Sequence, residues 1–104
     1  MLSPLEVADS VASRSRGLLG RDGIDGALLL RPAMSVHTLG MRFALDIAYC
    51  DADLVVVDLA TMAPWRLGRP RLRARSIIET EAGAFVRWGL RHGDQLAIRQ
   101  DNMP

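Results

Sequence analysis

Lysine is absent from this chain of 104 residues: all thirteen cationic side chains are arginine. That removes a lysine Schiff base, a lysine general base and a phosphate-loop lysine from the available chemistry. Cysteine is nearly absent too. Cys50 stands alone, so no internal disulfide can form, and one reason to expect an oxidising compartment goes with it. Aromatic residues make up only 5% of the chain. No apolar run approaches the roughly 18 residues of a membrane span, and Leu54 to Leu59 has only strand length. The opening MLSPLEVADS carries Glu6 and Asp9 with no basic region ahead of an apolar stretch, unlike a signal peptide. The expectation is a cytoplasmic protein with no membrane partner.

Charge of one sign is also missing. Thirteen cationic and twelve acidic residues leave a formal +1, which speaks against both a strongly basic nucleic-acid protein and an acidic tail. Hydrophobic residues at 49% and charged residues at 24% are ordinary for a globular chain. A chain of this length forms one domain, residues 1–104, and buries about two-thirds of its unfolded surface without needing staples.

What is present reads as short strands punctuated by turn residues. Leu5 to Ala8 suits an edge strand, and Asp9 or Ser10 an N-cap for a helix through about Leu19. Gly17, Gly20, Gly23 and Gly26 make a bent arm carrying Arg16, Arg21 and Asp22. Ala27 to Leu30 is an apolar strand stopped by Pro32. Ala44 to Cys50 alternates, with Leu45, Ile47 and Tyr49 on one face and small residues plus Asp46 on the other, so both faces are covered. With Leu54 to Leu59 it forms a hairpin. Thr61 to Pro70 reads as a loop. Arg71 to Glu79 alternates as a strand with Arg71, Arg73 and Arg75 on one side. Gly83 to Trp88 fits a short helix ended by Gly89 and an apolar Leu90, and Gln95 to Arg99 a last strand. The fold class expected is mainly β: a small single-domain sandwich or barrel with one or two short helices, near 10–19 and 83–88.

The polar residues cluster in Ser35 to Asp51, where His37, Thr38, Arg42 and Asp46 run into the most strand-like segment. Two readings stand side by side. In one, His37 and Arg42 line a pocket mouth and Asp46 orients one of them by a charge-assisted hydrogen bond. In the other, the same residues satisfy one another as a buried network. His37, Asp46, Glu79 and His92 are too scattered for the three or four ligands of a metal site, and no cofactor is indicated. Cys50 sits on the small-residue face of an apolar strand and reads as a small hydrophobe. Ser35 and Ser76 lie in no Gly-x-Ser-x-Gly elbow. Backbone N–H groups of the Gly-rich arm, with Arg16 and Arg21, suit an anion, although no nucleotide motif accompanies them. Arg66, Arg69, Arg71, Arg73 and Arg75, with Trp65 beside them, form a basic stripe that could track phosphates or guard a strand edge; no RNA-module signature supports nucleic acid.

Three segments together resemble the family called domain of unknown function 192: Arg16-Gly-Leu-Leu-Gly-Arg21, Val36-His-Thr-Leu-Gly-Met-Arg-Phe-Ala-Leu-Asp46, and Ile78-Glu-Thr-Glu-Ala-Gly83 followed by Gly89-Leu-Arg-His-Gly-Asp94. Leu19 stands where the family usually has Met, Ala44 where it has Pro, and Asp53-Leu54 lacks a frequent Gly. These departures touch packing and turns rather than the polar set. The family is bacterial and archaeal, and the chain is read as a bacterial member. The resemblance implies a compact β fold with a short helix and no agreed activity, and it favours a fixed partner for Glu79, with Arg16 or Arg42 as the candidates.

The function expected is a binding module for a small anionic ligand or a partner segment. Its ligand-binding residues are Arg16, Arg21, His37, Thr38, Arg42, Asp46 and Glu79, converging at one rim. The rivals are an enzyme using His37 and Asp46 as acid and base and nucleic-acid binding through the Arg66–Arg75 stripe.

Overall fold

A computed structural model describes residues 4–8, 18 and 20–98. Five strands, β1 (Leu5–Ala8), β2 (Ala27–Leu30), β3 (Leu45–Cys50), β4 (Val56–Met62) and β5 (Ser76–Glu81), form one mixed sheet of order β1-β2-β5-β3-β4. The β1–β2 pair is parallel and every other pair antiparallel. One short helix, α1 (Ala84–Trp88), follows β5. The mainly β class expected from the sequence is the class observed. No helix among the described residues is long and apolar enough to cross a membrane.

Both faces of the sheet are buried, as the alternation in Leu45–Cys50 requires; all six residues of β3 are buried. On one face Leu28, Leu30, Leu45, Ile47, Tyr49 and Ile77 form a core with Met41 and Ala74. On the other, Ala48, Cys50 and Val56 pack with Phe85 of α1, backed by Ile78, Trp88 and Leu90. Each large apolar side chain taken out of water contributes on the order of 1.5–3 kcal/mol, so β3 and its neighbours are the stable centre. The helix stops where its sequence says it should. Gly89 adopts φ 67°, its N–H donates to Val86 O, and the Leu90 N–H reaches Phe85 O, which together make a Schellman end.

The first face is roofed by the two long connections, residues 31–44 and 63–75, which run side by side. The register is carried by the backbone. Ala33 N–H donates to Arg75 O (3.0 Å), Arg71 N–H to Met34 O (2.8 Å), Gly68 N–H to Val36 O (2.8 Å) and Thr38 N–H to Arg66 O (2.8 Å). His37 and Leu67 form an isolated β-bridge within this ribbon. The Arg31–Pro32 peptide is cis.

Several boundaries differ from the sequence reading. The helix expected over 10–19 lies outside the described residues, apart from Leu18, which is buried in the loop-side core. The strand starting at Arg71 begins instead at Ser76, because residues 71–74 close a turn (Ala74 N–H to Arg71 O, 2.9 Å). Arg71, Arg73 and Arg75 therefore do not decorate one side of a strand. β4 extends through Met62, because Thr61 and Met62 still find partners in Asp46 and Leu45. Leu54 lies before it at φ 62° in the hairpin turn. The last strand, Gln95 to Arg99, reduces among described residues to a bridge between Gln95 and Val55, because the chain there meets only the turn before β4.

Gly68 is where the two connections approach most closely. A Cβ there would sit 2.4 Å from the Val36 carbonyl, with the Tyr49 hydroxyl and Met62 sulfur next at 3.5 Å. Backbone cannot step aside as a side-chain tip can. Gly68→Ala is expected to lose roughly 2 kcal/mol or more of stability in a denaturant titration, whereas Val86→Ala on exposed α1 stays within about 0.5 kcal/mol.

Candidate functional site

The roof owes its order to Thr38, which is fully buried. Its Oγ1 donates to Ala63 O (2.6 Å) and accepts from Arg66 N–H (2.9 Å); its carbonyl accepts from Trp65 N–H (2.7 Å) and Met41 N–H (3.1 Å). Held between these contacts, Trp65 takes φ 64°, a left-handed conformation uncommon for a bulky residue, and presents a ring that is 65% exposed. Strain of this kind at an exposed side chain is a pointer to use.

The other residues singled out from sequence separate. Asp46 is buried on the helix-covered face, where Oδ1 accepts Thr61 Oγ1–H (2.7 Å) and Oδ2 accepts the N–H groups of Gly83 (2.9 Å) and Phe85 (3.1 Å). It joins β3 to β4 and to the start of α1, and it orients neither Arg42 nor His37. Arg42 reaches Asp22 (2.9 Å) and Arg21 reaches Glu6 (2.6 Å), both at the exposed surface. Arg16 lies outside the described residues. His37 is exposed in the roof, and its Nδ1 accepts Leu39 N–H (3.2 Å). An acid–base pair of His37 and Asp46 is thus not assembled: one belongs to the roof, the other to the opposite face of the sheet.

Glu79 stands on β5 beneath the roof, across from Leu28 and Ile47, and is 3% exposed. Neither Arg42 nor any other described residue gives its carboxyl a hydrogen bond or ion pair. Burial raises that carboxyl from its ordinary 4.5 to about 7. The neighbouring Tyr49 hydroxyl, also buried, has no hydrogen-bond partner among the described residues, and burial pushes it up as well, with Arg71 opposing. The Arg71 guanidinium lies 4.2 Å over the Tyr49 ring and donates to Asp58 (2.8 Å), whose carboxyl this bond holds below the usual range. Burial, helped by Asp51, pushes the Cys50 thiol up to about 11, so no thiolate nucleophile exists at neutral pH. No group of three or more His, Cys, Asp or Glu among the described residues is placed to hold a metal ion. On the helix side a cleft of about 560 Å³ is lined mostly by apolar residues such as Leu29, Ile78, Phe85 and Trp88, with Asp94 and Gln95 as its polar members and no Arg or His in its wall. It does not suit an anion.

The feature missed in the sequence reading is a segregation of charge. Residues 26–45 and 59–78 contain no Asp or Glu, yet hold Arg31, Arg42, Arg66, Arg69, Arg71, Arg73 and Arg75. These are the segments that build the roof. Arg66, Arg69, Arg73 and Arg75 are exposed and have no carboxylate partner among the described residues. Leu67 (77% exposed), Leu72 (80% exposed) and Trp65 stand among them. The signal was available as two acid-free runs. It was hidden because the runs are far apart in the chain and cancel in the net charge.

A family model described as DUF192, Uncharacterized ACR, matches residues 2–98. A UPF0127 protein of Pyrococcus horikoshii is 32% identical over 84 residues, covering 76% of this chain and 73% of its own length. One of Thermococcus sibiricus is 31% identical over 98 residues, and the chain spans 64% of its length. These relatives are archaeal, so kinship does not support the expected bacterial source. A solved structure of a putative transcription regulator from Sinorhizobium meliloti superposes with a TM-score of 0.79 at 19% identity, covering 88% of this chain and 78% of that one. At that identity the likeness shows the fold alone.

The Glu79 carboxyl makes a pH dependence that can be signed. Its folded value lies above its unfolded one, so the folded state holds a proton that the unfolded state has released between about 4.5 and about 7. Stability from this group is complete below that window and is lost as pH rises through it, by roughly 3 kcal/mol at most. In urea titrations at pH 5 and pH 8, Glu79→Gln is expected to remove most of the wild-type difference and to be the more stable protein at pH 8.

Proposed function

This chain belongs to the DUF192 family, and we propose that it works as a non-enzymatic binding module that receives an anionic partner segment on its paired-loop roof. The observation that carries the reading is the segregation of charge: two acid-free connections laid side by side, with five exposed arginines (Arg31, Arg66, Arg69, Arg73 and Arg75) that no described carboxylate neutralises. A guanidinium carries a rigid fork of donors matched to carboxylate or phosphate, and left unpaired it is free to take an external one. His37 adds an exposed imidazole to the same surface, and Arg42 flanks it. Arg21 and Arg42 already have Glu6 and Asp22, which leaves the roof arginines as the stronger anion receivers. Thr38 contributes by holding the roof together, and Asp46 and Glu79 by lying in the scaffold beneath or behind it.

The test is retention on immobilised polyglutamate across a salt gradient. Wild-type protein is expected to elute late, with binding that weakens steeply as salt rises. Arg69→Ser combined with Arg73→Ser shifts elution to much lower salt. Arg87→Ser on α1, away from the roof, leaves it where wild type elutes. Equal elution of wild type and the double variant overturns the reading.

A further inference from the structure

We propose, building on that reading, that the partner is an extended protein segment in which acidic and apolar side chains alternate, anchored on Trp65, Leu67 and Leu72. Polyanion binding alone gives no role to these three residues. They are among the most exposed large apolar side chains of the described protein, at 65%, 77% and 80%, and all lie on one of the two acid-free connections. Their sequence order is interleaved with the cations: Trp65, Arg66, Leu67, Arg69, Arg71, Leu72, Arg73. The ribbon register spreads them along its length, from the Thr38–Arg66 pairing through the His37–Leu67 bridge to the Met34–Arg71 pairing. Met34, 45% exposed, and Leu39, 39% exposed, add apolar surface on the facing connection.

That layout selects among anionic partners. A single-stranded nucleic acid stacks its bases on several aromatic rings, and here one exposed ring is accompanied by aliphatic side chains that offer no stacking. A bilayer takes up a contiguous apolar tip ringed by basic residues, whereas these apolar positions are dispersed between the arginines. An extended chain presents successive side chains to opposite sides and has a rise of about 3.3 Å per residue, so six or so residues span the stretch from Met34 to Leu39. Acidic side chains of such a segment meet the guanidinium groups while apolar ones cover Leu67, Leu72 and the Trp65 ring. Trp and Arg are the side chains that most often dominate protein interfaces, and Trp65 sits on backbone already fixed by its N–H bond to Thr38 O, so little backbone freedom is lost on binding.

Trp65 is its own reporter. In a Trp88→Phe protein its emission is followed while four probes are added: a peptide alternating Glu and Leu, an oligoglutamate of the same length, a single-stranded oligonucleotide and anionic phospholipid vesicles. The expected result is a blue shift with the Glu/Leu peptide, and binding at least about tenfold tighter than for oligoglutamate. Leu67→Ser with Leu72→Ser abolishes that advantage and leaves oligoglutamate binding unchanged. Trp65→Ser with Trp88 retained weakens the Glu/Leu peptide at least about tenfold when binding is followed by anisotropy of a labelled peptide, and wild-type affinity there overturns Trp65 as an anchor. Equal affinity for both peptides, each lost on Arg69→Ser/Arg73→Ser, overturns the apolar anchor and keeps the anionic reading. A preference for oligonucleotide or vesicles overturns the protein partner in favour of that class, and binding of none of the four overturns both proposals.

Discussion

Two connections that cross the same face of the sheet are paired through their backbones and tied at one end by a single buried threonine. A structureless loop of a dozen residues inside a small domain is ordinarily costly, because fixing each residue loses on the order of 1–2 kcal/mol of backbone entropy. Residues 31–44 and 63–75 avoid standing alone by using each other's backbone groups, so that the roof behaves as an irregular ribbon. Thr38 closes the wide end of that ribbon, where the chain turns through Pro64 and Trp65 and no further backbone partner is in register. A hydroxyl is needed because one group must both donate, to Ala63 O, and accept, from Arg66 N–H. An isosteric Val would take this partner from both backbone groups. The orientation of Trp65 and the reach of Arg66 follow from this one residue.

The two faces of the sheet treat buried acids oppositely. Asp46, on the helix side, receives three donors and becomes the joint between β3, β4 and α1. Glu79, on the roof side, receives none from the described residues, and the Tyr49 hydroxyl near it is likewise unpartnered. Burial without a donor shifts such a carboxyl toward its protonated form. The roof side thus carries a polar burden that a purely packed core would not, while Arg71 bridges that buried layer to the surface by covering the Tyr49 ring and holding Asp58. Apolar side chains of both covers pack on the sheet, and the roof side adds these unpaired polar groups to its core.

Much of this was legible in the chain and some was not, for separable reasons. β2, β3, the hairpin and the helix end were readable because alternation, β-branched residues and the Gly89-Leu90 end are local signals, and both faces of β3 were foreseen from its small-residue side. Arg71 to Glu79 misled because an alternating pattern cannot reveal that Arg71 is drawn down onto Tyr49 and Asp58, which turns the chain before Ser76. The candidate site was only partly readable. His37, Thr38 and Arg42 do belong to the segment that builds the roof, but Asp46 was assigned to them by proximity in sequence, and the strand that begins at Leu45 turns its side chain to the other face. Charge segregation escaped because it is a property of two segments brought together by tertiary structure, each unremarkable by itself.

A chain with nearly balanced charge had no need to concentrate it. Seven of its thirteen arginines sit on the roof segments, where no acid occurs, leaving six against twelve acids elsewhere. Interspersed charges are the cheaper arrangement for solubility and for the folded state, since neighbouring guanidinium groups repel within a Debye length of about 8 Å. The central strands β2, β3 and β5 offer little surface for recognition, because nearly all of their side chains are buried. The layer left for it is the one whose outer surface combines unneutralised donors with exposed apolar side chains, on a backbone fixed from below by Thr38 and Gly68. A fold that buries its sheet twice and then gives one cover a single sign of charge keeps its unneutralised donors on one layer, and the division follows the sheet.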